Sequence, residues 1–180
     1  HEFCYSKSCN KDSMSLPKIS YQITTSYFGE TLIMSNELGL CGLAFCDHFG
    51  RDAALDDMKL RWPKASYKED TIFSDKEFKS VLDKTKQVEL CLLGSKLQIQ
   101  VWKALLKIPP GKVTSYTNLA KHIGKPKAVR TVATAIGKNP LCWLIPCHRV
   151  LRANGDLGGY HWGLNIKKNM LTYESQINKN

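Results

Sequence analysis

The chain of 180 residues has no run of eighteen apolar residues, so nothing in it predicts a membrane-spanning helix. Its first residues also lack the basic-then-apolar pattern and the small-residue cleavage site of a secretory signal. We therefore expect a soluble, cytoplasmic protein with no membrane partner. Residues 1–15 are polar and aperiodic, and we expect residues 1–18 to be a disordered leader, a tag, or the cut edge of a longer protein.

The seven cysteines form no Cys-x-x-Cys motif and no even, closely spaced set. Secreted domains held by disulfides carry such even sets, so the sequence predicts reduced thiols. Two pairs, Cys4/Cys9 and Cys41/Cys46, are each five residues apart, which is wider than the usual spacing of zinc ligands. We predict no metal and interpret these four thiols as buried or incidental.

Acidic residues are nearly absent from the second half of the chain. Residues 94–180 hold fourteen Lys and Arg against Asp156 and Glu174 alone, whereas residues 1–93 hold twelve against fourteen acids. The halves therefore carry net charges of +12 and −2. This shift predicts two domains, residues 19–93 and 94–180, and the basic one is suited to a polyanion such as nucleic acid.

The first half mixes strand and helix signals. Strands are predicted over residues 19–28, 31–35, 40–45 and 88–93, with Gly29-Glu30 as the first turn, and helices over residues 51–62 and 74–82. A hydrophobic core explains all of this apolar pattern, so we interpret the domain as a scaffold.

The second half predicts three helices before residue 137. Ser95 with Gln98 has the spacing of a capping box, and the helix that it begins runs to Ile108. Ser115 can cap a short helix that ends at His122, and Pro126 begins another that runs to Ile136. Two short helices joined by a tight turn with glycine form a helix-turn-helix pattern.

The last of these helices has an apolar face and a polar one. The inward face is predicted to hold Ala128, Val129, Val132, Ala133 and Ile136, and the outward set is Lys127, Arg130, Thr131 and Thr134. Small and polar outward residues suit a helix in a DNA groove. On the pattern alone a plain helical hairpin is equally well supported, and the charge of this half favours DNA.

Cys147 and His148 follow a proline in the sequence Ile-Pro-Cys-His-Arg-Val of residues 145–150. Pro146 fixes its own φ and stiffens the apolar approach, which preorganises the thiol. A thiol becomes a good nucleophile as the thiolate, and His148 and Arg149 are candidates for the base or positive charge that this requires. Because sequence neighbours rarely point at each other, we expect His148 to reach Cys147 through a bridging water. From these residues alone, an inert buried thiol and a surface histidine are the better supported alternative.

Five segments, taken together, favour a reactive cysteine over an inert one. They are residues 113–116 (Val-Thr-Ser-Tyr), 124–130 (Gly-Lys-Pro-Lys-Ala-Val-Arg), 137–140 (Gly-Lys-Asn-Pro), 145–150 and 158–163 (Gly-Gly-Tyr-His-Trp-Gly). In this order and spacing they closely resemble the O6-alkylguanine-DNA alkyltransferases, strongly over residues 95–174 and loosely over 21–93. The chain resembles the bacterial branch of this family in having Trp162 beside the tyrosine segment. That branch includes the C-terminal half of the adaptive-response regulators.

The resemblance implies an α/β (α+β) protein with a ribonuclease-H-like N-terminal domain and a helical winged-helix, or helix-turn-helix, C-terminal domain. It implies direct-reversal DNA repair, in which O6-methylguanine is flipped out of the duplex and its methyl group is moved irreversibly to the protein's own cysteine, once per molecule. The implied partner is double-stranded DNA containing O6-alkylguanine, approached at the minor groove. The protein is expected to be a monomer and to need no cofactor. Some relatives hold a zinc in the N-terminal domain, whose ligands are not reproduced here.

The resemblance also assigns catalytic roles. Cys147 is implied as the alkyl acceptor and His148 as the base acting through water, with Glu174 orienting it; the Glu174 match is short. Tyr116 is implied to donate its hydroxyl hydrogen to the guanine ring nitrogen, and Asn139 to fix the turn before the cysteine. Each has a plain alternative, such as a solvated Glu174 or a core phenol for Tyr116.

The remaining implied residues contact DNA or the flipped base. Arg130 resembles the finger that fills the gap in the base stack, or it is only a phosphate contact. The other DNA contacts are Tyr116, Thr131, Thr134 and Lys127. The implied pocket is formed by Val150, Tyr160, His161 and Trp162, where the carbonyls of Cys147 and Val150 accept from the exocyclic amine and the His161 N–H meets O6.

Two other classes of protein stay open. A DNA-binding lesion sensor, or a fragment of a transcriptional regulator without transfer, has the same basic helices, but relatives of that kind lack the cysteine. A cysteine hydrolase using Cys147 and His148 is disfavoured, because it needs acidic or amide orienting groups and a substrate cleft.

Overall fold

The computed structural model describes residues 17–177. Contacts between Cα atoms divide the chain between Leu93 and Gly94 into two compact units, called here the N unit and the C unit. Residues 1–16 of the expected leader, residues 1–18, lie outside the described residues. Lys18 is already part of the first strand. Within residues 17–177 no helix is long and apolar enough to cross a membrane.

The N unit contains a four-stranded mixed sheet. β1 (Lys18–Ser26), β2 (Gly29–Asn36) and β3 (Gly39–Phe45) form the predicted antiparallel meander, and β4 (Ser66–Glu69) pairs parallel to β1, which gives the order β3-β2-β1-β4. β2 and β3 each bury several consecutive residues, as strands covered on both faces do.

Two helices complete the N unit, α1 (Arg51–Lys59) and α2 (Asp75–Leu82). α2 begins with a capping box, in which the Ser74 side chain accepts from the Glu77 N–H and the Glu77 side chain accepts from the Ser74 N–H. Both helices fall inside the predicted ranges, and α1 ends three residues before the predicted Trp62. α1 buries Ala54 and Met58, and α2 buries Phe78, Val81 and Leu82, so both helices contribute to the core.

The N unit differs from the sequence prediction in three places. The first turn is at residues 27–28, because Gly29 already pairs with Ser26. The strand predicted over residues 88–93 is reduced to a single bridge between Leu40 and Leu90. β4 was not predicted, because it is a short, mostly exposed strand without apolar alternation.

The C unit begins with α3 (Lys96–Leu105), and the predicted capping box is confirmed. The Ser95 hydroxyl accepts from the Gln98 N–H at 3.2 Å, and the Gln98 side chain accepts from the Ser95 N–H at 2.9 Å. The helix ends three residues before the predicted Ile108. Its Trp102 ring N–H donates to the Ala135 carbonyl at 2.9 Å, which ties α3 to a later helix of the same unit.

The two-helix motif follows as α4 (Tyr116–His122) and α5 (Val129–Gly137). Ser115 caps α4 as predicted, and Gly124, with φ +75°, ends its last turn. The prediction that Pro126 begins α5 was wrong. The Lys125 carbonyl accepts from the Ala128 N–H at 3.0 Å, so Pro126 takes the second position of a β-turn, which its fixed φ favours.

The inner face of α5 buries Val132, Ala135 and Ile136. Ala133, predicted to be on that face, is only half-buried, and Ala135 takes its place. The helix starts three residues later than predicted, at Val129. Ala128 and Val129 are half-buried at that end.

The last elements of the C unit surround the predicted reactive segment. A 3₁₀ turn spans Cys147–Arg149 and leads into β6 (Val150–Leu151), which pairs parallel to β5 (Thr114–Ser115). Because α4 begins directly after β5, this parallel pairing brings the start of α4 beside Arg152, three residues after the 3₁₀ turn. α6 (Leu164–Ile177) packs against the same turn.

Candidate active site

A hydrogen-bonded turn sets the position of Cys147. The Asn139 side chain is buried, and its amide donates to the Ile145 carbonyl at 2.8 Å while its oxygen accepts from the Leu141 N–H at 3.0 Å. The same Ile145 carbonyl accepts the Cys147 N–H at 2.8 Å, and Pro146 between them has φ −81° and ψ 63°, an inverse γ-turn. One carbonyl therefore joins the asparagine, the proline turn and the cysteine.

Trp143 has a backbone conformation that a bulky residue rarely adopts, with φ +71°. The Ile145 N–H donates to the Leu141 carbonyl at 2.8 Å and closes the turn around it. The Trp143 ring stacks on the His148 ring, with centroids 5.4 Å apart and planes 19° apart. Such strained residues persist where surrounding contacts fix them, and here those contacts hold the residues around Cys147.

The Cys147 thiol is buried among donors that favour its ionised form. Hydrogen bonding with the Cys142 side chain lowers the pKa of Cys147, and burial opposes this. Further hydrogen bonds with Asn139 and Tyr160 and the charge of Lys167 bring the pKa to about 7. The Tyr160 hydroxyl lies 3.7 Å from Cys147 Sγ. A large fraction of Cys147 is therefore thiolate at neutral pH.

His148, Arg149 and Glu174 form a buried charged cluster behind the thiol. His148 Nε2 lies 2.9 Å from Glu174 Oε1, and Arg149 Nε lies 3.0 Å from Glu174 Oε2. Burial raises the pKa of Glu174, but the hydrogen bonds from His148 and Arg149 outweigh it and lower that pKa to about 2. Glu174 is therefore ionised and fixes the imidazole. The Arg149 guanidinium donates to Glu174 and to the Ile108 carbonyl. Its charge is therefore paired with the Glu174 carboxylate.

Tyr116 is the first residue of α4 and faces the same space. Burial, followed by the Cys147 thiolate charge, raises the pKa of its phenol, so the hydroxyl keeps its proton and can donate it. The ring lies close to Gly158, where an added Cβ would be 3.2 Å from the Tyr116 hydroxyl and where φ is +69°. A side chain at position 158 would be strained and would press on Tyr116.

Lys167 on α6 is a buried cation that sequence analysis missed. Its ammonium donates to the Val150 carbonyl at 2.7 Å, to the Gly159 carbonyl at 3.4 Å and to the Leu157 carbonyl. Burial lowers its pKa to about 8, and the Cys147 charge acts in the opposite direction. The signal was the spacing of Lys167, Met170 and Glu174, which puts all three on one helical face.

A cavity of about 590 Å³ opens above the thiol. Its lining contains most of the residues predicted for the pocket. It is lined by Tyr116, Ala133, Thr134, Ile136, Gly137, Cys142, Cys147, Arg152, Gly158, Gly159, Tyr160, His161 and Trp162. Val150, predicted to be a pocket residue, is fully buried and absent from this lining, and Lys167 donates to its carbonyl.

The predicted DNA-contacting side chains lie together at α5 and the turn before it. Lys127, Arg130, Thr131 and Thr134 are all exposed, and Thr134 also borders the cavity. The Thr134 hydroxyl donates to the Arg130 carbonyl at 3.0 Å, so it is satisfied within the helix. This exposed set adjoins the opening above Cys147.

These residues define a protein with a nucleophilic cysteine in a cavity beside a basic two-helix motif. The family profile described as 6-O-methylguanine DNA methyltransferase, DNA binding domain, matches residues 96–176. The chain is 45% identical over 101 residues to a probable methylated-DNA--protein-cysteine methyltransferase of Acanthamoeba polyphaga mimivirus, covering 56% of this chain and 67% of the relative. It is 38% identical over 164 residues to the regulatory protein ada of Salmonella typhimurium, covering 88% of this chain and 46% of that relative.

Solved structures agree with the sequence relatives. The crystal structure of the Mycobacterium tuberculosis O6-methylguanine methyltransferase has a TM-score of 0.69 and 30% identity, and the match covers 88% of this chain and 93% of that one. The chain belongs to the methylated-DNA--protein-cysteine methyltransferase family, bacterial type. It spans just under half the length of the Salmonella regulatory protein.

Proposed function

We propose that this protein repairs O6-alkylguanine in double-stranded DNA by moving the alkyl group to Cys147, once per molecule, in the cytoplasm. The observation that carries the proposal is the thiol of Cys147, whose pKa is lowered to about 7 at the wall of a 590 Å³ cavity. That volume is in the range of small-ligand sites, about 300–1,000 Å³. The names of the relatives support the same reaction.

The transfer is a displacement at the alkyl carbon. The Cys147 thiolate attacks that carbon, an S–C bond forms, the C–O6 bond breaks, and its electron pair returns to the guanine. His148 takes the thiol proton through an intervening water. Because ionised Glu174 accepts from Nε2, the neutral ring presents its lone pair at Nδ1. Tyr116 donates its proton to the guanine ring nitrogen, which avoids an anionic leaving group.

The flipped base is held by backbone groups, and one of them, the Val150 carbonyl, also accepts a hydrogen bond from Lys167. In this proposal the carbonyls of Cys147 and Val150 accept from the exocyclic amine, and the His161 N–H meets O6. Both carbonyls already accept one bond inside the protein, from the Val150 N–H and the Lys167 ammonium. A carbonyl has two lone pairs, so each can accept a second donor.

DNA approaches α5 through its minor groove, with Arg130 filling the gap that the base leaves. We describe the C unit as a winged-helix domain, which the pair α4 and α5 and the adjoining β5–β6 ladder support. We describe the N unit as ribonuclease-H-like, which the strand order β3-β2-β1-β4 supports, with only β4 parallel to β1.

Intact-mass measurement after mixing with an O6-methylguanine duplex tests the proposal. The wild-type protein should gain one methylene unit in mass permanently, and peptide mapping should place it on Cys147. Cys147→Ser should bind the duplex without any gain. Cys46→Ala, which removes a buried thiol of the N unit, should still react. Binding without a mass gain in the wild type would identify a lesion sensor instead.

A further inference from the structure

A second thiol lies beside the acceptor. Cys142 and Cys147 both line the cavity, and both are buried, with 2% and 5% of their surface exposed. Cys142 is hydrogen-bonded to Cys147, and both thiols are hydrogen-bonded to the Tyr160 hydroxyl. Alkyl transfer uses Cys147 as its acceptor, so the function proposed above does not use the reactivity of this second thiol.

The backbone holds the two sulfurs together. The turn closed between Leu141 and Ile145, with Trp143 in the left-handed region, bends the chain between Cys142 and Cys147 and pairs Cys142 with Ile145. Cys142 Sγ also lies 3.8 Å from the Asn139 carbonyl. Two groups held in this way react as an intramolecular pair, which raises the rate of a reaction between them by many orders of magnitude over separate molecules.

We propose that Cys142 and Cys147 form an oxidant-modification site, in which a hydroperoxide oxidises Cys147 and Cys142 then closes a reversible disulfide. In the first step the Cys147 thiolate attacks one oxygen of hydrogen peroxide and the O–O bond breaks. The departing hydroxide takes up the proton that the thiol lost on ionisation, so the sulfenic acid and one water result. In the second step the Cys142 sulfur attacks the sulfenic sulfur, an S–S bond forms, and the S–O bond breaks to release a second water. Two thiols lose two electrons, and hydrogen peroxide gains them.

The consequence is protection of the acceptor. A sulfenic acid without a neighbouring thiol proceeds to sulfinic and sulfonic acids, which thiol reductants do not reverse. A disulfide is returned to two thiols by exchange. The oxidised protein is therefore inactive in alkyl transfer, yet recoverable.

One tryptic peptide contains both cysteines of the site, so its mass reports their oxidation state. Trypsin cleaves after Lys138 and Arg149, and the peptide of residues 139–149 carries Cys142 and Cys147 as its two cysteines. The protein is treated with hydrogen peroxide, its remaining thiols are blocked with N-ethylmaleimide, and this peptide is weighed. The wild-type peptide should become lighter by two hydrogens and take no maleimide, and dithiothreitol should restore both thiols and methyl transfer.

Two variants complete the test. Cys142→Ala should gain two or three oxygens on Cys147 that dithiothreitol does not remove, whereas Cys46→Ala should behave as the wild type. A wild-type peptide that gains oxygens and never loses two hydrogens would overturn the proposal, whatever the variants do. The masses do not depend on DNA or on alkyl transfer, so failure here is distinct from failure of the repair function.

Discussion

Among single residues, Glu174 has the largest structural effect, because the buried Arg149 guanidinium and the His148 ring are both bonded to it. Only 2% of Glu174 and 2% of Arg149 is exposed, and the Glu174 pKa is lowered to about 2 from 4.5. We expect Glu174→Gln to lower the free energy of unfolding by about 3 kcal/mol at pH 7, the value for breaking a buried ion pair.

The sign of the pH dependence follows from that shift. An acid whose folded pKa is depressed stabilises the fold fully above its unfolded pKa, and this contribution is lost as pH falls toward the folded value. The difference between wild type and Glu174→Gln should therefore shrink below about pH 4.5. Urea unfolding at pH 7 and pH 3 measures it, with the exposed Glu37→Gln as control. An equal difference at both pH values would contradict the assignment.

The charge of Lys167 lowers the pKa of Cys147, and its ammonium donates to the carbonyls of Val150, Leu157 and Gly159. We expect alkylation of Cys147 by iodoacetamide to rise with pH around a midpoint near 7, because the thiolate is the reactive form. Lys167→Met should move the midpoint upward, and the neighbouring exposed Lys168→Met should leave it in place. A purely structural role for Lys167 would change the rate without moving the midpoint.

At the scale of secondary-structure elements, α5 presents its exposed side to the opening of the cavity. Arg130 is exposed there, and its proposed task is to offset unstacking. Arg130→Ala should slow methyl transfer from duplex DNA by at least tenfold, and it should leave reaction with free O6-methylguanine base nearly unchanged. Lys103→Ala, an exposed change on α3, is the control for lost charge. Equal losses on duplex and free base would remove Arg130 from that role.

Elements with local signals were predictable from the sequence. Ser95 with Gln98, and Ser115, are short-range caps, so the starts of α3 and α4 were correct. β4 was missed because its pairing with β1 joins distant residues and its side chains are mostly polar. The start of α5 was wrong because Pro126 fits both a first helical turn and a β-turn.

The same contrast between local and long-range signals applies to the candidate site. The family motifs pointed to Cys147, His148 and Tyr116. Cys147 and Tyr116 line one cavity, and His148 is buried next to the cysteine in the 3₁₀ turn. Lys167 was missed because lysine is rarely buried. Cys142 was missed because it reaches the cavity through a turn in which Trp143 has a positive φ, and no local rule predicts that conformation.

For the whole molecule, charge is the property that matters most for binding. The C unit carries +12 and the N unit −2, so phosphate contacts belong to the C unit. The affinity for duplex DNA should fall steeply with salt, with a slope of about −0.9 per phosphate contacted. Lys127→Ala should reduce the slope by about one, and the exposed Lys68→Ala of the N unit should not change it. A flat salt response would contradict the assignment of the C unit to DNA.

The Ile145 carbonyl, which joins Asn139, Pro146 and Cys147, also determines which positions of this loop can be engineered. Backbone atoms and the Asn139 side chain make the strong hydrogen bonds of the loop, whereas the Cys142 side chain forms part of the cavity wall and adds one weak thiol bond. A library randomised at position 142 should therefore yield folded proteins that differ in acceptor reactivity and substrate range. The same library at position 139 should yield mostly misfolded chains.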